Sequence, residues 1–381
     1  MRKKSYLLLF TEISDRGGIE VFSKYFLNAI LQSTKNADMT ILILNNISPP
    51  VVDISYAKKN NNLRFFCCGS KVKIFKKVKF VALLFWNIIF HRPRIIISNH
   101  INLLKLCGII YPILRVNYGV ITYGIEVWNL NFLKRIVLKN AKYIASFSKY
   151  TSSKISNQVE TKGKIFLFPP CVDKGKFFPQ KRDIKLVQKY NLNGNKVMLT
   201  VARLVKKEGY KGYDLVIKAL PKVTKKIPNI KYLLIGEGDD LYRIKNLVNK
   251  LGLENKVIFC GFVPNKKLIN YYNSCDVFIM PSKGEGFGIV FLEALACGKP
   301  VICGNKDGSR DAVLDGKLGI LVDPDNIDQI AEAIMNVLQG NVPNHLLDPK
   351  YLRKTVLEHY GFDKFIERVK DLIKKLESCR S

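Results

Sequence analysis

The sequence predicts an α/β protein made of two successive doubly wound parallel sheets. Three observations carry this. Short apolar runs alternate with helix-patterned segments along the whole chain, a proline cluster near residue 170 interrupts the series, and a second series of the same kind follows. At 381 residues the chain has the length of two ordinary domains.

The first series holds runs at Ser5–Phe10, Met39–Leu44, Arg94–Ser98, Gly119–Thr122, Tyr143–Ser146 and Lys164–Phe168. They are rich in Ile, Leu, Val and aromatics without strict alternation, as parallel strands covered on both faces should be. Helical spacing fills the gaps, most clearly over Glu20–Ser33 and Leu103–Leu114. Pro169, Pro170 and Pro179 then stiffen the chain and end elements, which reads as a linker. The second series runs through Lys196–Val201, Lys231–Ile235, Val257–Cys260, Val277–Met280, Pro300–Cys303 and Gly319–Val322, with helices at Tyr213–Lys226, Leu241–Leu251 and Ile327–Leu338. The tail Tyr351–Glu377 is helical and charged. Sheets of this type bind ligands beyond the C-terminal ends of their strands, so the expected site is a cleft between the two domains.

Composition narrows the function. Nine cysteines, scattered and without a CxxC pair, and four scattered histidines give neither a disulfide framework nor a zinc site. The apolar run Tyr6–Phe10 is too short for a secretory leader, and Phe80–Phe90 is well short of the ~20 residues a spanning helix needs. The expected setting is the cytoplasm. The net charge of +31 is uneven, since residues 1–178 hold 28 Lys and Arg against 8 Asp and Glu. No acidic residue occurs between Asp53 and Glu126, where twelve basic ones do. Such a field attracts anionic lipid, phosphorylated substrates or nucleic acid, and lysine-rich genomic bias explains the total equally well.

The segment richest in chemistry is Pro281-Ser282-Lys283-Gly284-Glu285-Gly286-Phe287-Gly288-Ile289-Val290-Phe291-Leu292-Glu293. It follows a buried strand and turns through glycines into a helix, whose first N–H groups cradle a diphosphate or sugar oxygens. Carboxylates such as Glu285 and Glu293 accept hydrogen bonds from vicinal hydroxyls. By themselves the two glutamates fit an ordinary capped strand–turn–helix as well. Glu-x7-Glu within EGFGIVFLEALACGKPV resembles the signature of the family 4 retaining glycosyltransferases (glycosyl transferases group 1), which have the GT-B fold of two Rossmann-like domains facing a central cleft. The resemblance implies that Glu285 contacts the donor sugar and Glu293 the ribose, while amides of Phe287, Gly288, Ile289 and Val290 meet the sugar and phosphates. Arg203 and Lys211, in Val-Ala-Arg-Leu and Lys-Gly-Tyr-Asp, resemble the pair that holds the donor diphosphate. Gly17 and Gly18 resemble the N-terminal loop that approaches the phosphates, and Val263 a main-chain contact to the base.

The resemblance further implies an acceptor-binding domain over 1–175, a nucleotide-sugar-binding domain over 176–350, and C-terminal helices over 351–381 packing back towards the first domain. Many family members place a histidine after the fourth strand. Here Tyr123 stands there, followed by Glu126 at an acidic position, and His100 after another strand is an alternative. Asp323-Pro324-Asp325 spells a DxD but reads as a turn. The implied function is retaining sugar transfer from a nucleotide diphosphate sugar to a glycan or lipid-linked acceptor in cell-surface polysaccharide or lipopolysaccharide synthesis, with no cofactor and no metal. A GT-B 2-epimerase acting on the donor alone is the nearest alternative, and a basic nucleic-acid-binding protein the alternative from another class. No nucleic-acid module is recognisable, so nucleic acid is not an expected partner. Over Lys71–Phe90, Ile74, Phe75, Val78, Val81, Ala82 and Phe85 share one helical face and Lys73, Lys76 and Lys77 lie roughly opposite. That pattern suits a helix lying on an anionic membrane, at the inner face of the cell membrane, and equally a domain helix whose apolar face is core.

Overall fold

The computed structural model describes residues 4–15, 17–34, 36–51, 61–114, 117–161 and 163–378. The chain divides into two units, Met1–Pro170 with Asp363–Ser381, and Cys171–Phe362.

In the first unit β1 (Lys4–Phe10), β2 (Ala37–Ile43), β3 (Asn61–Cys67), β4 (Ile95–Ser98), β5 (Tyr118–Thr122), β6 (Tyr143–Ser146) and β7 (Ile165–Leu167) form one parallel sheet in the order β3-β2-β1-β4-β5-β6-β7. Helices α1 (Gly18–Ser33), α2 (Lys73–Trp86), α3 (Lys105–Leu114), α4 (Ile125–Trp128), α5 (Phe132–Asn140) and α6 (Lys149–Ser156) connect the strands, and a π-helical turn at Asn87–His91 extends α2. Leu7, Leu8 and Leu9 of β1 are fully buried, which explains an apolar run with no alternation. Strand β3 is absent from the sequence-based expectation. It lies at the sheet edge with its side chains largely half-exposed, and it opens on Asn61 and Asn62, so it lacks the apolar run that marks its neighbours.

In the second unit β8 (Lys196–Val201), β9 (Ile230–Ile235), β10 (Val257–Gly261), β11 (Val277–Met280), β12 (Val301–Gly304) and β13 (Ile320–Val322) form a second parallel sheet in the order β10-β9-β8-β11-β12-β13. Its helices are α7 (Ile184–Lys189), α8 (Tyr213–Lys226), α9 (Leu241–Lys250), α10 (Asn265–Ser274), α11 (Ile289–Ala296), α12 (Ser309–Ala312), α13 (Ile327–Gln339) and α14 (Pro349–Tyr360).

The helical tail expected at 351–381 divides between the units. Helix α14 stays with the second unit. Its Arg353 donates to the carbonyls of Phe177 and Ala296, both at 2.6 Å, and Tyr360 packs on Phe287 with ring centroids 5.4 Å apart. Helix α15 (Phe362–Ser378) belongs almost entirely to the first. Its fully buried Phe365 meets the rings of Phe168 at 5.1 Å and Phe22 at 5.6 Å, and Glu377 pairs with Lys4 at 2.8 Å. The break between the two helices falls at Gly361, which forms an isolated parallel bridge with Val172, whose amide donates to the Tyr360 carbonyl at 2.9 Å.

Candidate functional site

Each sheet reverses its winding once, between β1 and β4 in the first unit and between β8 and β11 in the second. Loops leaving the C-terminal ends of strands at such a reversal diverge and leave room for a ligand. In the second unit these loops begin at Ala202 and Pro281, so Arg203 and Glu285 leave adjacent paired strands. In sequence they lie 82 positions apart; the parallel sheet brings them together.

A turn of 3-10 helix at Lys206–Lys211 completes the cluster. Gly212 follows it with φ of 76°, and a Cβ there would lie 2.3 Å from the carbonyl oxygen of Pro281. Only glycine therefore lets this turn press against the 281–288 loop. The amide of Lys283 donates to the Tyr210 carbonyl at 2.9 Å and fastens the same contact. The result is that Lys211 Nζ sits 2.7 Å from Glu285 Oε2 and 3.8 Å from Glu208 Oε2. The other oxygen of Glu208 pairs with the Arg203 guanidinium. Arg203, Glu208, Lys211 and Glu285 thus form a row of alternating charge. Glu208 is buried, whereas the Arg203 side chain is 76% exposed and still open to an anion.

The loop bearing Glu285 is held from below by Asp307, a buried carboxylate. It accepts from the Glu285 amide at 2.7 Å, from Ser282 Oγ at 2.8 Å and from the Ser309 amide at 2.9 Å. Burial pushes its carboxyl up to about 6, against these bonds. Gly288, at φ of 87°, starts α11 with no side-chain cap on the first amides. Phe287 is 2% exposed, so it can offer a ligand only its backbone; Ile289 and Val290 are half-buried.

Glu293 lies one turn into α11, where Tyr272 Oη donates to its carboxylate at 2.7 Å. Burial raises the carboxyl to about 7, and the tyrosine bond partly opposes that shift. The Tyr272 hydroxyl is itself pushed well above its usual value, first by burial, so it remains the donor. Val263 follows β10 and has a buried side chain; among the described residues nothing pairs with its N–H or C=O. Asp323 and Asp325 form the expected turn, closed by the Asp325 amide on Asp323 Oδ1 at 2.9 Å, and they hold Lys306 at 2.6 and 2.9 Å.

The remaining expected residues belong to the first unit. Gly17 and Gly18 start α1 after β1, and His100 follows β4, so both flank the first sheet's reversal; Thr11 N donates to Asn99 Oδ1 across it at 3.1 Å. His100 is held neutral, its pKa lowered to about 4 first by burial and then by Lys134 and Lys105. Its Nδ1 accepts from the Asn102 amide at 3.1 Å, which leaves the ring proton on Nε2. Tyr123 is a core aromatic, 6% exposed, with its ring 4.7 Å from Phe147 and 5.7 Å from Phe22. Glu126 turns its carboxylate back onto the amides of Tyr123 at 2.5 Å and Gly124 at 3.0 Å, capping α4. Burial raises its pKa. The structure therefore gives Tyr123 a packing role and Glu126 a capping role.

Glu208, Asp307 and Tyr272 were missed by sequence reasoning. Glu208 stands three residues before Lys211, a helical-turn spacing that could have flagged it. Asp307 sits in Asp-Gly-Ser, which reads as an ordinary turn, and Tyr272 lies in a helix with a mixed pattern.

Residues 183–353 match the family described as Glycosyl transferases group 1. A GDP-mannose-dependent alpha-(1-6)-phosphatidylinositol monomannoside mannosyltransferase of Mycolicibacterium smegmatis is 32% identical over 230 residues, covering 57% of this chain and 59% of the relative. The chain thus matches about three-fifths of that relative's length. Mannosylfructose-phosphate synthase of Agrobacterium fabrum is 31% identical over 170 residues, 42% of this chain and 37% of the relative. Among solved structures, a sucrose-phosphate synthase from Thermosynechococcus elongatus superposes with a TM-score of 0.76 at 20% identity, over 99% of this chain and 100% of that one. Anabaena HepE in complex with UDP and glucose gives 0.74 at 18% identity, over 96% and 99%. The chain has the GT-B fold, and its residues 183–353 are similar to the group 1 glycosyl transferases.

Proposed function

We propose that the protein is a retaining glycosyltransferase of family 4 that moves a sugar from a nucleoside diphosphate sugar to a glycan or lipid-linked acceptor. The observation that carries this is the charged row at the reversal of the second sheet, where Lys211 lies 2.7 Å from Glu285 and Arg203 stands open beside it. Two cations on the one segment that leaves β8, beside the Glu285 loop from the adjacent strand β11, suit a pyrophosphate. Both gain interaction energy as negative charge builds on the leaving diphosphate, which is the condition for catalysis rather than mere binding. Lys211 then trades part of its contact with Glu285 for phosphate, freeing that carboxylate to accept from sugar hydroxyls. Amides from Phe287 to Val290 face the same charge at the uncapped start of α11. Glu293 receives the ribose hydroxyls, and the Val263 main chain reads the base. In this reading the protein's own cations do the work a metal does elsewhere, and no cofactor takes part.

The acceptor side falls to the first unit in this reading, with His100 Nε2–H as a donor after β4 and Gly17 and Gly18 after β1, on either side of that sheet's reversal. The mycobacterial relative's name specifies a GDP-mannose donor and a phosphatidylinositol mannoside acceptor, and HepE was solved with UDP and glucose. These support a nucleotide-sugar donor and a lipid-linked acceptor here, used in cell-surface polysaccharide or lipopolysaccharide synthesis on the cytoplasmic side of the cell membrane.

The test is turnover with UDP-glucose, UDP-galactose and GDP-mannose against bacterial lipid extract, followed by NMR of the product linkage. Release of one nucleoside diphosphate with the donor's anomeric configuration kept in the product supports the reading. An inverted product removes retention. Donor conversion to its 2-epimer without any acceptor replaces transfer with epimerisation.

A further inference from the structure

Helix α2 is fastened to the first unit by the buried Phe80 and Leu84 and leaves Ile74, Phe75 and Val78 exposed. Its end widens into the π-helical turn Asn87–His91, a local distortion of the kind that often marks a functional site. Asn87 and His91 from that turn line a cavity of about 270 Å³ together with Asp38, Thr40 and Arg64. Every lining residue belongs to the first unit. The strand residues among them come from the first four positions of β1, β2 and β3, whereas Gly17 and His100 follow the C-terminal ends of β1 and β4. The cavity is therefore separate from the loops at the sheet's reversal.

This cavity is polar where a covered parallel sheet is normally apolar. Leu7, Thr40 and Arg64 stand opposite one another across β1, β2 and β3, and Asp38 lies two positions before Thr40 on the same face. Met39 and Ile41, on the other face of β2, keep the expected apolar burial. Asn87 is 1% exposed; its Nδ2 donates to the Leu83 carbonyl at 2.8 Å, and among the described residues its Oδ1 accepts from nothing. A buried acceptor in that state calls for a donor from elsewhere. Arg64 is exposed, and among the described residues no carboxylate pairs with it. Asp38 accepts from Asn62 Nδ2 at 2.9 Å through one oxygen.

These groups suit two different ends of one ligand. The Arg64 guanidinium, with the His91 ring as a second donor, fits the oxygens of a phosphate. Asn87 Oδ1, Asp38 and Thr40 Oγ1 accept from hydroxyls. A lone phosphate leaves those three without donors, and the single ammonium of an amino acid meets only part of them. We infer that this cavity binds a soluble phosphorylated sugar or polyol, its phosphate at Arg64 and His91 and its hydroxyls at Asn87, Asp38 and Thr40. The volume lies just below the ~300–1,000 Å³ of pockets for drug-sized ligands, which is room for one compact molecule.

The test is calorimetric titration of the full chain with glucose 6-phosphate, fructose 6-phosphate and glycerol 3-phosphate, with glucose and inorganic phosphate as the separate halves. At least one phosphomonoester should bind, and each half at least about ten-fold more weakly. Arg64→Ser, at an exposed position, should weaken the phosphomonoester about ten-fold or more without moving the melting temperature of the unliganded protein. Thr40→Val removes one hydroxyl and should weaken it about five-fold. Lys211→Ala, in the second unit, should bind it as the wild type does. Thermal shifts with nucleoside diphosphates should be the same in Arg64→Ser as in the wild type, so failure here and failure of the donor site read separately. The inference is overturned if none of the three phosphomonoesters binds, or if Arg64→Ser binds them as the wild type does. It is equally overturned if Lys211→Ala abolishes binding, which would move the ligand to the donor site. Equal binding of glycerophosphoglycerol, a diester of the headgroup type, would overturn it too by giving the cavity to a lipid.

Discussion

At the scale of single residues, Glu293 links donor binding to pH. A carboxyl raised to about 7 is half-protonated near neutrality, and ribose hydroxyls that donate to it select the ionised form. Affinity for a nucleoside diphosphate should therefore rise with pH up to about 7 and then level off. In Glu293→Gln the dependence should vanish. Tyr272→Phe removes a bond that lowers this pKa, so the limb should move to higher pH. Calorimetric titrations between pH 5.5 and 8.5 check all three, and a flat wild-type profile would take the ribose away from Glu293. The sign for stability is opposite. A raised carboxyl stabilises the fold fully below its unfolded value, and that contribution is lost as pH rises through about 7, so the unliganded protein should melt lower at pH 8 than Glu293→Gln does. Arg203 gives a second residue-scale prediction. Its guanidinium is mostly exposed, and an exposed pair contributes about 0–1 kcal/mol to folding. Arg203→Ala should leave the melting temperature nearly unchanged yet lower turnover by about 10²–10³-fold, the scale for one electrostatic contact to a developing charge. A variant that loses both together would make the pair structural.

At the scale of elements, the loop from Pro281 to Gly288 depends on Asp307. Asp307→Ala leaves the Glu285 amide, the Ser309 amide and Ser282 Oγ without an acceptor in a buried place. We expect a loss of about 2–4 kcal/mol, read as a lower melting temperature, together with weaker nucleotide binding. Gly212→Val meets both a positive φ and a 2.3 Å approach to the Pro281 carbonyl, so it should displace Lys211 and abolish turnover even where the fold survives. These elements show what the sequence could and could not say. Strands such as Leu7–Leu9 declare themselves because a parallel strand buried on both faces must be continuously apolar. Strand β3 does not, being a half-exposed edge. The period of α2 was legible, but a period says only that one face is apolar, and not whether protein covers it. Likewise Glu285 and Arg203 stood out through their motifs, whereas Tyr272 reaches Glu293 from another helix and Asp307 reaches Ser282 from another strand's loop, partnerships that only packing reveals.

At the scale of the whole molecule, the two sheets and their order were legible because the same βα rhythm repeats on either side of a proline break. The fate of the tail was not. Both α14 and α15 are charged amphipathic helices, and what separates them is which unit's aromatic residues accept Tyr360 and Phe365. The Tyr123 position shows the same limit, since a position matched to a family histidine says nothing of the burial of its ring, which is 6% exposed. The central claim, a donor diphosphate held by the second unit, is tested most directly by thermal shift of the full chain with UDP, GDP, dTDP and ADP, repeated on Lys211→Ala. One nucleotide at a hundred times its Kd should stabilise the wild type by about 2.7 kcal/mol, and the variant much less. No shift with any of the four, or an equal shift in Lys211→Ala, would contradict the account.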